Sequence, residues 1–246
     1  VVVGCGGVTY HGMSRMVTWM NRRTSGRVTF VDPDTLEGRN KTRQWGLQEG
    51  TPKVAAACDL VRQLGHEAQG FTQRIEEVKE PVGSKFLTRS RVLVVSAPDN
   101  HQARVQTHRI CSSWAADYRI EVVEITAGNG LDHGYALGCV HTPDGVCRGD
   151  WTQTHPDIVE GAQAERRAQG RPVACGELDD GGPVQSEESN HLTAGCLWSL
   201  AERMWKGWVG EYRWETDRDG VQRVFTRDRS SCGVVTRAGV PEEVTQ

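Results

Sequence analysis

Three short clusters near the start of the chain carry residue types that together can handle a nucleotide. A run of branched residues, Val1-Val2-Val3, ends in Gly4-Cys5-Gly6-Gly7-Val8. Glycines at such a turn let backbone N–H groups approach a phosphate, and a helix starting behind them adds its partial positive charge. A second apolar run, Arg27-Val28-Thr29-Phe30-Val31, closes on Asp32-Pro33-Asp34. Asp32 lies 23 positions beyond Thr9, close to the roughly 20-residue separation of an acid that hydrogen-bonds ribose hydroxyls. Asn40 and Arg43 in Asn40-Lys41-Thr42-Arg43-Gln44 are suited to grip a triphosphate. Together these residues predict an adenine-nucleotide site built on one βαβ unit.

The elements that must hold these residues follow from periodicity. The spacing of Met13, Met16, Val17 and Met20 predicts a helix over 11–22 with those side chains in the core. Strands are expected at 27–31, 68–71, 91–95 and 120–125, and helices at 52–64 and 99–113, the first opened by Pro52 and ended by Gly65. The β-α-β-α-β alternation predicts an α/β fold with a Rossmann-like, doubly wound, mainly parallel sheet. After about Thr126 the pattern changes. A strand over 133–141 is expected to extend the sheet antiparallel, 142–188 reads as a long Pro/Gly-rich crossover, and a strong helix follows over 188–206. The runs 212–214 and 221–225 predict a hairpin. The expected organisation is a nucleotide-binding region over 1–130, an antiparallel extension with its crossover and closing helix over 131–226, and a polar tail over 227–246.

At 246 residues with a net charge of −3, the composition offers no electrostatic reason for a nucleic-acid or membrane-surface partner. No stretch approaches the roughly 20 apolar residues of a membrane span. The eight cysteines are too dispersed for a small disulfide scaffold and are expected to stay reduced, which points to a cytoplasmic protein. Cys58, Cys111 and Cys196 sit in helical patterns and read as buried apolar residues. The first residues read as a core strand, so further residues are expected upstream of Val1.

These clusters, with Lys53 on the next helix, Ala97-Pro98-Asp99-Asn100 with Arg104, and Cys175-Gly176-Glu177 leading through Gly182-Pro183-Val184 into a helix, resemble the ThiF/MoeB/ubiquitin-activating enzyme (E1-like) superfamily. The resemblance spans about residues 1–206. It implies adenylation, with ATP and Mg²⁺, of the C-terminal glycine of a ubiquitin-like or sulfur-carrier protein, a homodimer, and in some relatives transfer to an E2-like conjugating protein. Attack of a carboxylate on the α-phosphate crowds negative charge onto phosphorus, so catalysis is mostly positioning and neutralisation. Arg43 would clamp phosphate oxygens, Lys53 supply a point charge, and Asn40 add an uncharged hydrogen bond. Asp99, at a strand tip, would hold Mg²⁺. Asp32 would bind the ribose, Gln44 support the adenine or the loop, and Asp34 and Asn100 complete the ATP site. Arg104 belongs either to the site or to an ion pair on its helix.

Cys175 matches the position that relatives use for acyl or persulfide linkage, and it is the nucleophile candidate for a thioester; Arg166, Arg167 and Arg171 lie nearby in sequence. The alternative is a plain loop cysteine in an enzyme that stops at the adenylate. The chain also departs from the family pattern. Thr9 replaces the third glycine, and the two Cys-x-x-Cys pairs of the family's zinc site are broken: Cys147 stands where the first pair begins but Asp150 occupies its second position, and Cys232 has no partner. A mixed set from Cys139, Cys147, His141 or His155 is the alternative, and no structural zinc is expected. The broken zinc pairs and the divergent 176–190 segment tilt the acceptor toward a bacterial ubiquitin-like conjugation or PRTRC-type ThiF relative. Two other classes remain: an NAD-dependent oxidoreductase, to which the glycine turn and Asp32 are equally suited, and a catalytically silent, partner-binding subunit of a heterodimeric activator.

Overall fold

The computed structural model describes residues 1–22, 27–38, 48–78, 91–167, 186–217 and 220–229. Five parallel strands form one half of the sheet: β1 (Val2–Val3), β2 (Arg27–Val31), β3 (Glu67–Phe71), β4 (Arg91–Ser96) and β5 (Glu121–Asn129). Their order is β3-β2-β1-β4-β5, and β6 (His133–His141), β8 (Gly210–Thr216) and β9 (Gln222–Asp228) continue it antiparallel, with β7 (Cys147–Arg148) paired to β6. The winding reverses between β1 and β4, where open α/β sheets leave a crevice at the carboxyl ends of their strands.

Helix α1 (Gly7–Asn21) and α2 (Lys53–Gln63) cover one face, joined there by the closing helix α6 (Glu187–Trp205). Met13, Met16, Val17 and Met20 are buried, as their spacing predicts. Helix α3 (His101–Asp117) covers the other face, packing Cys111, Trp114 and Ala115 on Val94 and Val122. Tryptophans from the C-terminal segment pack inward: Trp214 donates to Thr193 Oγ1 at 2.8 Å, and Trp205 meets the edge of Trp19.

Helix α3 runs four residues past its expected end, β8 and β9 are longer than expected, and three further differences bear on the site. Helix α1 starts at Gly7, not residue 11, because the glycine cluster supplies its first turn. Strand β5 runs on to Asn129, since β6 pairs with it along its whole outer edge, from Val122↔His141 to Asn129↔Gly134. The stretch expected as a crossover loop contains β7 and two helices, α4 (Trp151–Thr154) and α5 (Pro156–Arg167). Helix α5 buries only Ile158 and Ala162, so its apolar stripe is too sparse to stand out as a period.

Candidate active site

The tips of β1, β2 and β4 meet at the winding reversal. Gly4 turns the chain there with φ of 84°, and a Cβ on it would lie 2.7 Å from the Ala97 carbonyl oxygen and Pro98 nitrogen. Only glycine supports that turn against the β4–α3 loop without strain. Gly7 is needed for packing, because a Cβ there would meet the Asn190 side chain of α6 at 2.5 Å. Gly6 differs from both. It is the N-cap of α1, has no side-chain cap, and no atom of the described residues lies within 4 Å of where its Cβ would be. The first turn of α1 carries no acidic residue, so no side chain of the helix itself opposes its N-terminal N–H groups and dipole.

The N-terminus of α3 shows the opposite arrangement. Asn100 accepts from the Ala103 N–H at 2.7 Å, and the Glu165 carboxylate of α5 accepts from His101 and Gln102 at 3.0 and 2.7 Å. One helix end is filled by protein carboxylate and amide; the other is open. Glu165 escaped sequence reasoning because its partners lie over sixty positions away.

Asp32 is buried and tied to the glycine turn: its carboxylate accepts the Cys5 N–H at 2.6 Å and the Asp34 N–H at 2.8 Å. Burial pushes its carboxyl up from the ordinary range, against the pull of Lys53 and of those two donors. Lys53 opens α2, where its N–H bonds the Asp34 carbonyl and its Nζ reaches Asp34 Oδ2 at 2.9 Å. Burial works against the charge of Lys53, but Asp32, Asp34 and Asp99 outweigh it and hold the ammonium firmly protonated. The fold thus brings Asp32, Asp34, Lys53 and Asp99 together beside the glycine turn.

Asn100 is the cap of α3 and donates to Asp99 Oδ1 at 3.1 Å, orienting that carboxylate. Arg104 is buried and donates to the Pro98 carbonyl at 2.7 Å and toward His101 Nδ1 at 3.2 Å. Through that backbone contact it braces the loop beside Gly4. Asn40, Arg43, Gln44 and Cys175 lie outside the described residues. The chain on either side of residues 39–47 is fastened: Leu36 exchanges backbone hydrogen bonds with Thr51 and Gly50, and Thr35 bridges Pro52. That clasp ties Thr35 and Leu36, just beyond the tip of β2, to the residues that lead into α2 and Lys53.

An exposed carboxylate, Asp99, offers the hard oxygen donor that Mg²⁺ takes, at the same tip as Lys53 and the open helix end. No helix among the described residues is long and apolar enough to cross a membrane.

Comparisons with known proteins place this geometry. No curated protein sequence matches the chain. The fold matches the crystal structure of E. coli MccB with a TM-score of 0.59 at 12% identity, covering 100% of this chain and 67% of that one. It matches PaaA at 0.56 and 18% identity, covering 92% and 63%, and the E. coli MccB structure with ATP at 0.55 and 12%, covering 93% and 62%. The chain thus spans about two thirds of the length of these proteins. The family model described as ThiF family matches residues 1–156, more than half of the sequence, and the chain belongs to the ThiF family.

Proposed function

We propose that the protein adenylates the C-terminal carboxylate of a peptide or small carrier protein with ATP. The observation that carries this reading is the open N-terminus of α1 at Gly6, lying beside a buried Asp32 that is hydrogen-bonded to the same turn. Phosphates would lie on the free N–H groups, with the ribose on Asp32 and the charge of Lys53 alongside. Arg43 and Asn40, which lie between β2 and α2 in the sequence, would grip the triphosphate. Asp99 is the residue to hold Mg²⁺, which would neutralise charge on the departing pyrophosphate.

In the reaction a carboxylate oxygen of the substrate attacks the α-phosphorus, and the bond to the β-phosphate oxygen breaks to release pyrophosphate. The acyl-adenylate then passes to a thiolate, which bonds the acyl carbon as AMP leaves with the electron pair. Cys175 is the candidate thiol. A ubiquitin-like or sulfur-carrier protein is the finer reading of the substrate, with an E2-like protein and a second copy of the chain as further partners. The MccB structures solved with ATP and with MccA favour a broader class that includes peptides.

The test is pyrophosphate exchange and intact-mass analysis with MgATP and a panel of peptides and carrier proteins. Arg43→Ala and Asp99→Ala are expected to abolish exchange. Cys175→Ala is expected to keep exchange while losing any thioester adduct. A folded protein that binds ATP yet never exchanges pyrophosphate with any acceptor would instead support the silent-subunit reading, and binding of nicotinamide cofactor in preference to ATP would support the oxidoreductase.

A further inference from the structure

On the opposite face of the sheet from α1, four soft or ionisable donors meet in the dry interior. Glu124 of β5 stands directly across from Cys139 of β6, and His141 follows Cys139 by two positions on the same strand face. Helix α3 lies over that face and brings His108. Around Glu124 Oε2 are His141 Nε2 at 2.7 Å, His108 Nδ1 at 2.8 Å and Cys139 Sγ at 3.2 Å. Cys139 Sγ is 3.4 Å from His141 Nε2 and 3.8 Å from His108 Nδ1. Glu124 and Cys139 are fully buried, and His141 is 1% exposed.

We propose that His108, Glu124, Cys139 and His141 form a closed structural zinc site. Ligands at the usual zinc distances sit at the corners of a tetrahedron whose edges are about 3.3–3.8 Å. The three edges that involve Cys139 already match or nearly match that span, and the two histidine–carboxylate edges need to open by about half an ångström. One thiolate and one carboxylate balance a divalent cation with both imidazoles neutral, which leaves no net charge in a buried place.

The surroundings are those of a ligand shell. Trp151 donates from Nε1 to Glu124 Oε1 at 3.3 Å, so one carboxylate oxygen is fixed by an indole while the other faces the cluster. His108 turns its remaining nitrogen, Nε2, toward Asp150 Oδ1 at 3.5 Å. Metal-bound imidazoles usually have a carboxylate or carbonyl behind them in this way. His141 Nδ1 is buried with no hydrogen-bond partner among the described residues. A plain hydrogen-bond network leaves that nitrogen unexplained, whereas a metal on Nε2 supplies a reason for the ring to be held there. All four positions are filled by protein and shut from water, which marks a structural rather than a catalytic centre.

This set differs from the two Cys-x-x-Cys pairs whose interruption led to the expectation of no structural zinc. Cys147, which with Cys232 stands at a position of those pairs, lies across from His141 on β7 and hydrogen-bonds the side chains of Cys139 and His141, but it is not one of the proposed four. His155, weighed as a ligand from sequence, faces Glu211 instead, at 2.9 Å. The zinc would pin α3 to β5 and β6, and α3 begins directly after Asp99. The proposal does not depend on the adenylation reading.

The experiment uses the full chain, produced with zinc and without chelator. Elemental analysis is expected to give about one equivalent of zinc. Replacement by Co²⁺ should give tetrahedral d–d bands with a thiolate-to-cobalt charge-transfer band. Cys139→Ser should remove that charge-transfer band, and Cys147→Ser and Cys175→Ser should keep it. Because Cys139→Ser alters a buried side chain, the unaltered protein carries the decisive arm: stripping with chelator and returning Zn²⁺ should lower and then restore its melting temperature. Absence of stoichiometric metal from the folded protein would overturn the site, as would a charge-transfer band that survives Cys139→Ser or is lost in Cys147→Ser.

Discussion

At the tips of β1, β2 and β4 the polar groups come from short sequence motifs and face outward, with Gly6 open and Asp34 and Asp99 exposed. On the inner face of β5 and β6 the polar groups come from four separate positions and face one another, sealed by Trp151 and α3. Both clusters use a buried carboxylate. Asp32 spends its oxygens on backbone N–H groups of the glycine turn, whereas Glu124 collects imidazoles and a thiol. The first arrangement pre-forms a surface for a passing ligand. The second has no opening and can only hold the fold together. Variants in the two regions should therefore move different observables.

The largest effect belongs to the sealed cluster. Glu124→Leu leaves two buried imidazoles without their anion and is expected to cost about 3–5 kcal/mol of stability, read as a drop in the urea midpoint. Lys53→Met should do the reverse. Its charge acts on the ligand, so pyrophosphate exchange is expected to fall by roughly 10²–10³-fold while the unfolding midpoint stays near that of the unaltered chain. If Lys53→Met unfolded the protein as readily as Glu124→Leu, its ion pairs with the aspartates would be structural, and the division between the two regions would fail.

Glycines sharpen the contrast within the nucleotide side. Gly4→Ala forces a Cβ against the β4–α3 loop at positive φ, for an expected stability loss of about 1–3 kcal/mol. Gly6→Ala meets nothing among the described residues, so its stability should change by less than about 1 kcal/mol. Its Cβ would nevertheless stand where phosphate approaches α1, and KM for ATP should rise. Thermal melts and exchange kinetics on the same two variants separate the outcomes, and an unchanged KM in Gly6→Ala would remove the phosphate from that helix end.

The different legibility of the two regions has a physical cause. The turn proposed to bind phosphate is local: Gly4, Gly6 and Gly7 sit within four residues, and Asp32 closes the next strand, so spacing alone brings them to notice. The parallel half of the sheet was readable for the same reason, since each strand–helix unit repeats a short pattern. The sealed cluster depends on register. Cys139 faces Glu124 only because β6 returns antiparallel with that one alignment, and a shift of a single residue would send both histidine and cysteine to the other face. His108 joins from a helix whose burial pattern, not its motif, decides which side turns inward. The two helices inside 142–188 went unread because α5 carries few buried residues and leans on α3 through a carboxylate cap.

A second buried carboxylate in the antiparallel half supplies the smallest and most specific test. Glu211 of β8 meets His155 Nε2 at 2.9 Å, Arg213 Nε at 3.6 Å and the Arg229 guanidinium. Burial alone would raise its carboxyl, but His155, Arg229 and Arg213 hold it below the usual range. A carboxyl depressed in the folded state contributes stability that is fully present above its unfolded pKa of about 4.3 and is lost as pH falls through the folded value. Glu211→Gln keeps the shape and an acceptor but removes the charge. It should therefore be less stable than the unaltered chain near neutrality, and the gap between their urea midpoints should close as the pH is taken below about 4. Chelator should leave that gap unchanged while it destabilises the protein through the zinc cluster. A gap that responded to chelator and ignored acid would mean that the two buried carboxylates had been assigned to the wrong partners.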